Sequence, residues 1–427
     1  MKRAKRESKC QAKGGIRKRT ALPFRQRGGG VGVNEELDGR KRIGRSFVIA
    51  GLMFAIAIGV AACGGSSGSS SEATSTEGAT SSKEGATSTA SNQKVKTLLA
   101  EAKGPVKWEG PTEPSPAVPN KNVTAVVTFE AAEGILIADE GMEAAAKAIG
   151  WNLTIIDGKG TTQGYAAGIS QAITENAEAV ILFSITPSLI PNQMKQLKAA
   201  HIPVIALSNV EEPTEELWIA NVGYEPKKEA EFLAAQLTEE SGGDAQVLTV
   251  NEPAAGVVQT RLEYFKEALA ELCPGCNIAA ETEFSVAELE TKLGPKIGAL
   301  LQANPNVNYV YAPYDAAVPP MIAAIKQGGL ENDVKIVSYG GFRQNIEYLR
   351  NKEIQTATVA NATQWQGWET IDALNRYFNE KELTPTVLHS DPFVLLTWDE
   401  VPPPGQYFEG NEANYQQHYE ELWGVSK

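Results

Sequence analysis

The chain has 427 residues, 42% of them hydrophobic, a formal net charge of −13, three histidines and four cysteines. That length accommodates a bilobal body, and so few histidines exclude the usual catalytic triads and histidine-built metal sites. The charge is split: residues 1–45 carry 15 Lys+Arg against 4 Asp+Glu, whereas residues 63–427 carry 24 against 48, and an acidic body of that kind excludes nucleic acid as a partner.

Residues 1–62 form a basic extension that ends in an export signal. Arg40, Lys41, Arg42 and Arg45 precede an uncharged apolar run at 46–62, followed by Cys63 and small residues. A basic flank, an apolar run and a small-residue junction describe a secretory signal. The run is near the lower length limit for a membrane span, so a retained transmembrane helix is the competing reading. Val60-Ala61-Ala62-Cys63 resembles the lipobox of bacterial lipoproteins. That resemblance implies a diacylglyceryl group on Cys63, cleavage before it, and a chain anchored to the extracytoplasmic face of the cell membrane.

Residues 63–93 are dominated by Gly, Ser, Thr, Ala and Glu, with EGAT at 77–80 and again at 84–87. With no apolar periodicity the stretch is expected to be a flexible tether. Residues 94–120 begin with a short helical pattern and turn proline-rich, an ordered lead-in with little core of its own.

From 123 onward, short apolar strands alternate with amphipathic helices. Strands are expected at 123–129, 153–156, 179–183, 203–207, 217–222, 246–250, 278–284, 307–312, 334–339 and 356–359. Helices are expected at 135–150, 164–175, 189–200, 226–239, 257–272, 286–303, 316–327, 344–351 and 364–380. This alternation means an α/β protein with parallel sheets covered on both faces. The strand count exceeds one core, so two lobes are expected: 121–221 plus 362–381, and 222–361 plus 382–396. Residues 397–427 read as a C-terminal tail packed on them. Cys273 and Cys276 lie in Cys-Pro-Gly-Cys at the C-terminal end of a helical run, where the helix dipole disfavours a thiolate. A structural disulfide is therefore expected over a redox or zinc site.

Certain segments together carry a resemblance: 141–150, GMEAAAKAIG, before a strand and Asp157; Ile202-Pro203-Val204-Ile205 after a helix; Arg261–Phe265; Tyr314-Asp315-Ala316-Ala317 after a strand; and 337–341, VSYGG, before 357–361, ATVAN. In this order they resemble the type I periplasmic sugar-binding proteins, the ribose-binding-like solute receptors of ABC importers. The resemblance implies two Rossmann-like, doubly wound parallel-sheet lobes joined by a three-segment hinge, a small polar ligand, a sugar first, held between them, an ABC permease as partner, a monomer, and neither cofactor nor catalysis. It places ligand contacts at Arg261, Asp315 and Asn361, each beside a strand's C-terminal end, where open parallel sheets bind ligands. Asp315 could instead be a plain helix N-cap.

The chain also departs from the family. Ser208-Asn209 stands where members have Asp-Arg, Gly340 where they have an aspartate, and Gly134-Ile135 where they have an aromatic pair. Phe129, Glu130, Asn209, Tyr314, Phe342, Trp365 and Trp368 are the candidates to replace those contacts. No GxGxxG, Walker or GxSxG motif supports an enzyme. An export signal sits where a LacI-type repressor would carry its DNA-binding helices. A sensor docking to a membrane kinase or chemoreceptor is the remaining alternative to a transport receptor.

Overall fold

The computed structural model describes residues 81–426 except 212 and 214–217. The signal segment, Cys63 and the first part of the expected tether lie outside the described residues. Helix α1 (Ser81–Ala102) starts within the stretch expected to be a flexible tether. Val95, Leu98 and Ala102 recur at helical spacing and are buried against the second lobe. Such docking, rather than propensity, is what holds a helix of this composition. Ion pairs Lys94–Glu271 and Lys228–Glu101, both at 2.6 Å, flank the contact.

The first lobe alternates β1 (Asn122–Val127), α2 (Glu133–Ile149), β2 (Asn152–Asp157), α3 (Thr162–Thr174), β3 (Ala179–Phe183), α4 (Pro191–Ala199), β4 (Val204–Leu207) and β5 (Trp218–Val222). All five strands are parallel, in the order β2-β1-β3-β4-β5. β3 reads AVILF and every residue of it is buried, as a central strand covered on both faces requires.

The second lobe contains α5 (Pro226–Ser241), β6 (Gln246–Asn251), α6 (Gly256–Leu272), β7 (Asn277–Glu283), α7 (Leu293–Ala303), β8 (Tyr309–Tyr311), α8 (Val318–Gln327), β9 (Lys335–Gly340), α9 (Arg343–Arg350) and β10 (Gln355–Asn361). Helix α10 (Thr363–Phe378) then returns to the first lobe and packs along α2. A short helix, α11 (Pro385–Leu388), leads to β11 (Phe393–Thr397), which joins the second sheet. That sheet runs β11-β10-β9-β8-β6-β7, with only β11 antiparallel. Apart from β11 it repeats the strand order of the first lobe. The sequence reading assigned no strand to 393–397. It also drew helix 286–303 as continuous, whereas a 3₁₀ turn at Val286–Glu288 precedes α7.

The chain crosses between lobes three times: β5 to α5, β10 to α10, and α11 to β11. At the first crossing Gly223 and Tyr224 are both left-handed, with φ of 79° and 66°. Gly223 N–H donates to the Leu388 carbonyl at 2.9 Å, joining the first crossing to the third. Beside the third crossing, Asp391 Oδ2 accepts from Gln366 Nε2 at 2.8 Å and Glu369 Oε1 accepts from Ser390 N–H at 3.2 Å. Glu369 Oε2 and Asp391 Oδ1 take no donor, and burial raises both carboxyls above their usual range.

Helix α12 (Tyr415–Trp423) covers α10, with Trp423 stacked on Trp368 at 5.5 Å and its Nε1 donating to Asp372 Oδ1 at 2.7 Å. Between α1 and the first strand the lead-in runs over the same lobe: Ser115 and Ala117 N–H donate to the Leu422 and Trp423 carbonyls. Cys273 and Cys276 are disulfide-bonded across the turn after α6, Cα to Cα 5.3 Å. Among the described residues no helix is long and apolar enough to cross a membrane, and no group of His, Cys, Asp or Glu could hold a metal ion.

Candidate ligand-binding cleft

In a sheet of order 2-1-3-4-5, the chain leaves β1 and β3 in opposite directions, and a crevice opens at their C-terminal ends. Both lobes have this arrangement, and the two crevices face one cavity of about 200 Å³. From the first lobe, Thr128 and Phe129 follow β1, and Ser184, Ile185 and Thr186 follow β3. From the second, Glu252 and Ala254 follow β6, and Pro313 and Tyr314 follow β8. Tyr224, Asn361 and Thr363 enter from the crossings.

The lobes touch over this cavity. Thr186 Oγ1 donates to the Ala254 carbonyl at 3.2 Å and accepts from Gly256 N–H at 3.4 Å. Arg343 Nη1 pairs with Glu133 Oε1 at 3.4 Å. The Phe342 ring lies against Gly134, where an added Cβ would stand 2.4 Å from Phe342 Cζ. The aromatic pair missing from the first lobe is thus answered by a ring from the second.

Arg261 lies where the resemblance put it, at the cavity, but its charge is already engaged. Its Nε is 2.9 Å from Glu229 Oε2, and its guanidinium lies 4.9 Å from the Tyr224 ring centre and 4.3 Å from that of Tyr339. Asn361 also lines the cavity, with its Nδ2 donating to Glu229 Oε1 at 2.7 Å. Burial pushes the Glu229 carboxyl above its usual range, against the pull of Arg261.

Asp315 does not face the cavity and caps no helix with its side chain. It is fully buried behind the wall, where Oδ1 accepts from Ser338 Oγ, Thr358 Oγ1 (3.0 Å) and Gln355 Nε2 (3.1 Å). Its Oδ2 accepts from the N–H groups of Gly341 (2.7 Å) and Phe342 (3.2 Å). Burial raises it from an ordinary 3.8 to about 6, with these donors pulling the other way. Its role here is to hold the 340–342 turn that carries Phe342.

Of the remaining candidates, Phe129, Tyr314 and Phe342 line the cavity. Glu130 is exposed and binds Asp157 through its backbone N–H. Asn209 is buried under the rim, donating to the Ile185 carbonyl and accepting from Glu211 N–H. Trp365 is core: its ring stacks on Trp108 at 5.5 Å and on Tyr415 at 4.6 Å. Trp368 is buried beneath Trp423 in the same way. Spacing alone could not separate these helix-packing rings from ligand contacts.

The sequence reading missed Glu229 and Glu252. Glu229 shares a helix face with Leu233 and Leu237, a signal that it points inward. Glu252 follows β6 at a switch-point strand end and is 6% exposed, with Oε2 accepting from Tyr314 Oη at 2.9 Å. Burial raises its pKa above the usual carboxyl range, opposed by Tyr314 and the Val286 N–H. Its charge reaches across the cavity: burial first and then Glu252 push Tyr165 up to about 12.

Residues 124–382 match the model of the periplasmic binding protein domain. The chain belongs to this family. Its solved structural relatives include an ABC sugar transporter subunit from Rhodobacter sphaeroides (19% identity, TM-score 0.59, covering 65% of this chain and 98% of that one). Another is GanP, a glucose-galactose binding protein from Geobacillus stearothermophilus (19%, 0.60, 66% and 99%). A third is a 5-methylthioribose transporter solute binding protein from Thermotoga lettingae (18%, 0.58, 67% and 89%). Identities this low establish a shared fold. No curated protein sequence matches the chain. The family is one of binding proteins, so this periplasmic binding protein is a receptor and not an enzyme.

Proposed function

We propose that this binding protein is an extracytoplasmic receptor, lipid-anchored through Cys63, which captures a small ring-shaped solute and delivers it to an ABC permease. The observation that carries the reading is a cavity between two facing switch points, each lobe supplying its wall from strand ends. A ligand touching both walls favours the closed pair of lobes over any open one, which is how such receptors signal occupancy. The relatives' glucose, galactose and 5-methylthioribose make sugars and sugar-like rings the reference class. The basic flank, apolar run and Val60–Cys63 junction support the anchor.

Native mass spectrometry of the full chain purified from its own membranes tests the reading. The expected result is a bound small molecule that is displaced on partial unfolding, on a chain whose N-terminus is a lipid-modified Cys63. A chain that carries no small molecule, and whose melting temperature no solute raises, would not be a receptor.

A further inference from the structure

The cleft has polar side chains, but most are already occupied within the protein. Asp315, the acceptor that the resemblance assigns to ligand, takes five donors of its own. Arg261 is ion-paired to Glu229 with tyrosine rings on its guanidinium, and the Asn361 amide donates to the same glutamate. The Thr186 hydroxyl both donates and accepts between the lobes, while Thr128 Oγ1 lies 2.7 Å from the carbonyls of both Phe183 and Ser184. The hydroxyls of Thr162, Tyr165, Ser184 and Tyr339 are what the lining leaves for a sugar, no free carboxylate or amide among them, and each desolvated hydroxyl beyond their reach opposes binding.

One group stands apart. Glu252 lines the cavity, is almost wholly buried, accepts from the Tyr314 hydroxyl and the Val286 N–H, and takes part in no ion pair among the described residues. It faces walls made by Phe129, Tyr165, Ile185, Val258, Leu289 and Phe342. A carboxylate held in apolar surroundings without a cation is unfavourable by itself and becomes favourable when a ligand brings the counter-charge. Aromatic rings in the same lining, Phe129, Tyr165 and Phe342, offer further attraction for a cation.

We infer that the cleft selects a ring compound bearing one protonated amine, with Glu252 as its counter-charge, rather than a polyhydroxylated sugar. The apolar walls hold the ring, and the Tyr314 hydroxyl fixes the Glu252 carboxylate that receives the ammonium. This inference rests on the receptor reading above and narrows its ligand class.

Full-length protein in detergent decides it, by calorimetric titration and thermal melting with four probes. These are phenethylamine, its neutral counterpart 2-phenylethanol, D-galactose and D-ribose. The expected result is phenethylamine binding at least tenfold more tightly than 2-phenylethanol, raising the melting temperature, with neither sugar doing so. In Glu252→Gln the preference for the amine falls to about onefold. If that variant does not fold, the wild-type ratio of amine to alcohol still decides, since equal affinities overturn the inference. Tighter binding of galactose or ribose overturns the ligand class and leaves the receptor standing. Indifference to all four probes also overturns it, and a co-purified molecule in the mass spectrum then shows whether the receptor reading survives.

Discussion

Arg261 is the residue on which the cleft and the crossings both depend. Replacing it with alanine strands the fully buried Glu229 carboxylate without its cation, and breaking a buried pair from one side costs about 3–5 kcal/mol. Arg261→Ala is therefore expected to lower the urea midpoint sharply, and the double change Arg261→Met with Glu229→Gln to recover most of the loss. A single variant within about 0.5 kcal/mol of the parent would show the pair to be dispensable, as for an ordinary surface position. The arginine was legible through the family resemblance, in the second turn of α6; its partner was not, because α5 belongs to a different segment of the chain. Asp315 shows the same limit more severely. Its five donors come from β9, the turn after it and β10, and no local pattern announces which distant strand ends will converge on one carboxylate.

At the scale of elements, α2 and α10 pack so closely that glycine is required where they meet. A Cβ on Gly367 would stand 2.5 Å from Met142 N and 2.7 Å from the Ala138 carbonyl oxygen, both backbone atoms that cannot step aside. In an exposed helix glycine to alanine stabilises by up to about 1 kcal/mol, whereas overpacking a tight contact costs about 1–3 kcal/mol. The clash wins here, so Gly367→Ala should destabilise. Gly298→Ala in α7, whose nearest outside atom is Ala324 Cβ at 3.9 Å, should do the reverse. Paired urea titrations check the signs, and equal signs would contradict the packing argument. Most elements were legible because apolar runs such as AVILF at 179–183 permit only a buried strand. β11 was not, because it returns antiparallel after a four-residue helix and so breaks the strand–helix alternation. The split of 286–303 has a local cause that went unread: Gly294-Pro295 fits the first turn of a helix better than its middle.

For the whole molecule, pH should act through buried acids at the crossings. Burial raises Asp391 from an ordinary 3.8 to about 7, and burial with the Asp391 charge raises Glu369 well above its usual range. An acid whose folded pKa is raised contributes stability that is complete below its unfolded pKa and is lost as pH rises through its folded value. The window for Asp391 thus runs from about 4 to about 7, and the change is on the order of 2–4 kcal/mol. Urea unfolding should show a more stable protein at pH 5 than at pH 8, with much of that difference gone in Asp391→Asn. An Asn variant with the parent's pH dependence would remove the carboxyl pair from the account. The lobes themselves are joined more often than the three crossings imply. Helix α1 is fixed to the second lobe by Val95, Leu98, Ala102 and two ion pairs, and the lead-in that follows is bonded to the first. In mechanical terms α1 makes the second lobe the stator: a pull applied at residue 81 is taken up there, and it reaches the first lobe only through the lead-in and the crossings. For the anchored receptor proposed above, closure on a ligand would then move the half of the molecule that carries no load, and capture would not have to work against the anchor.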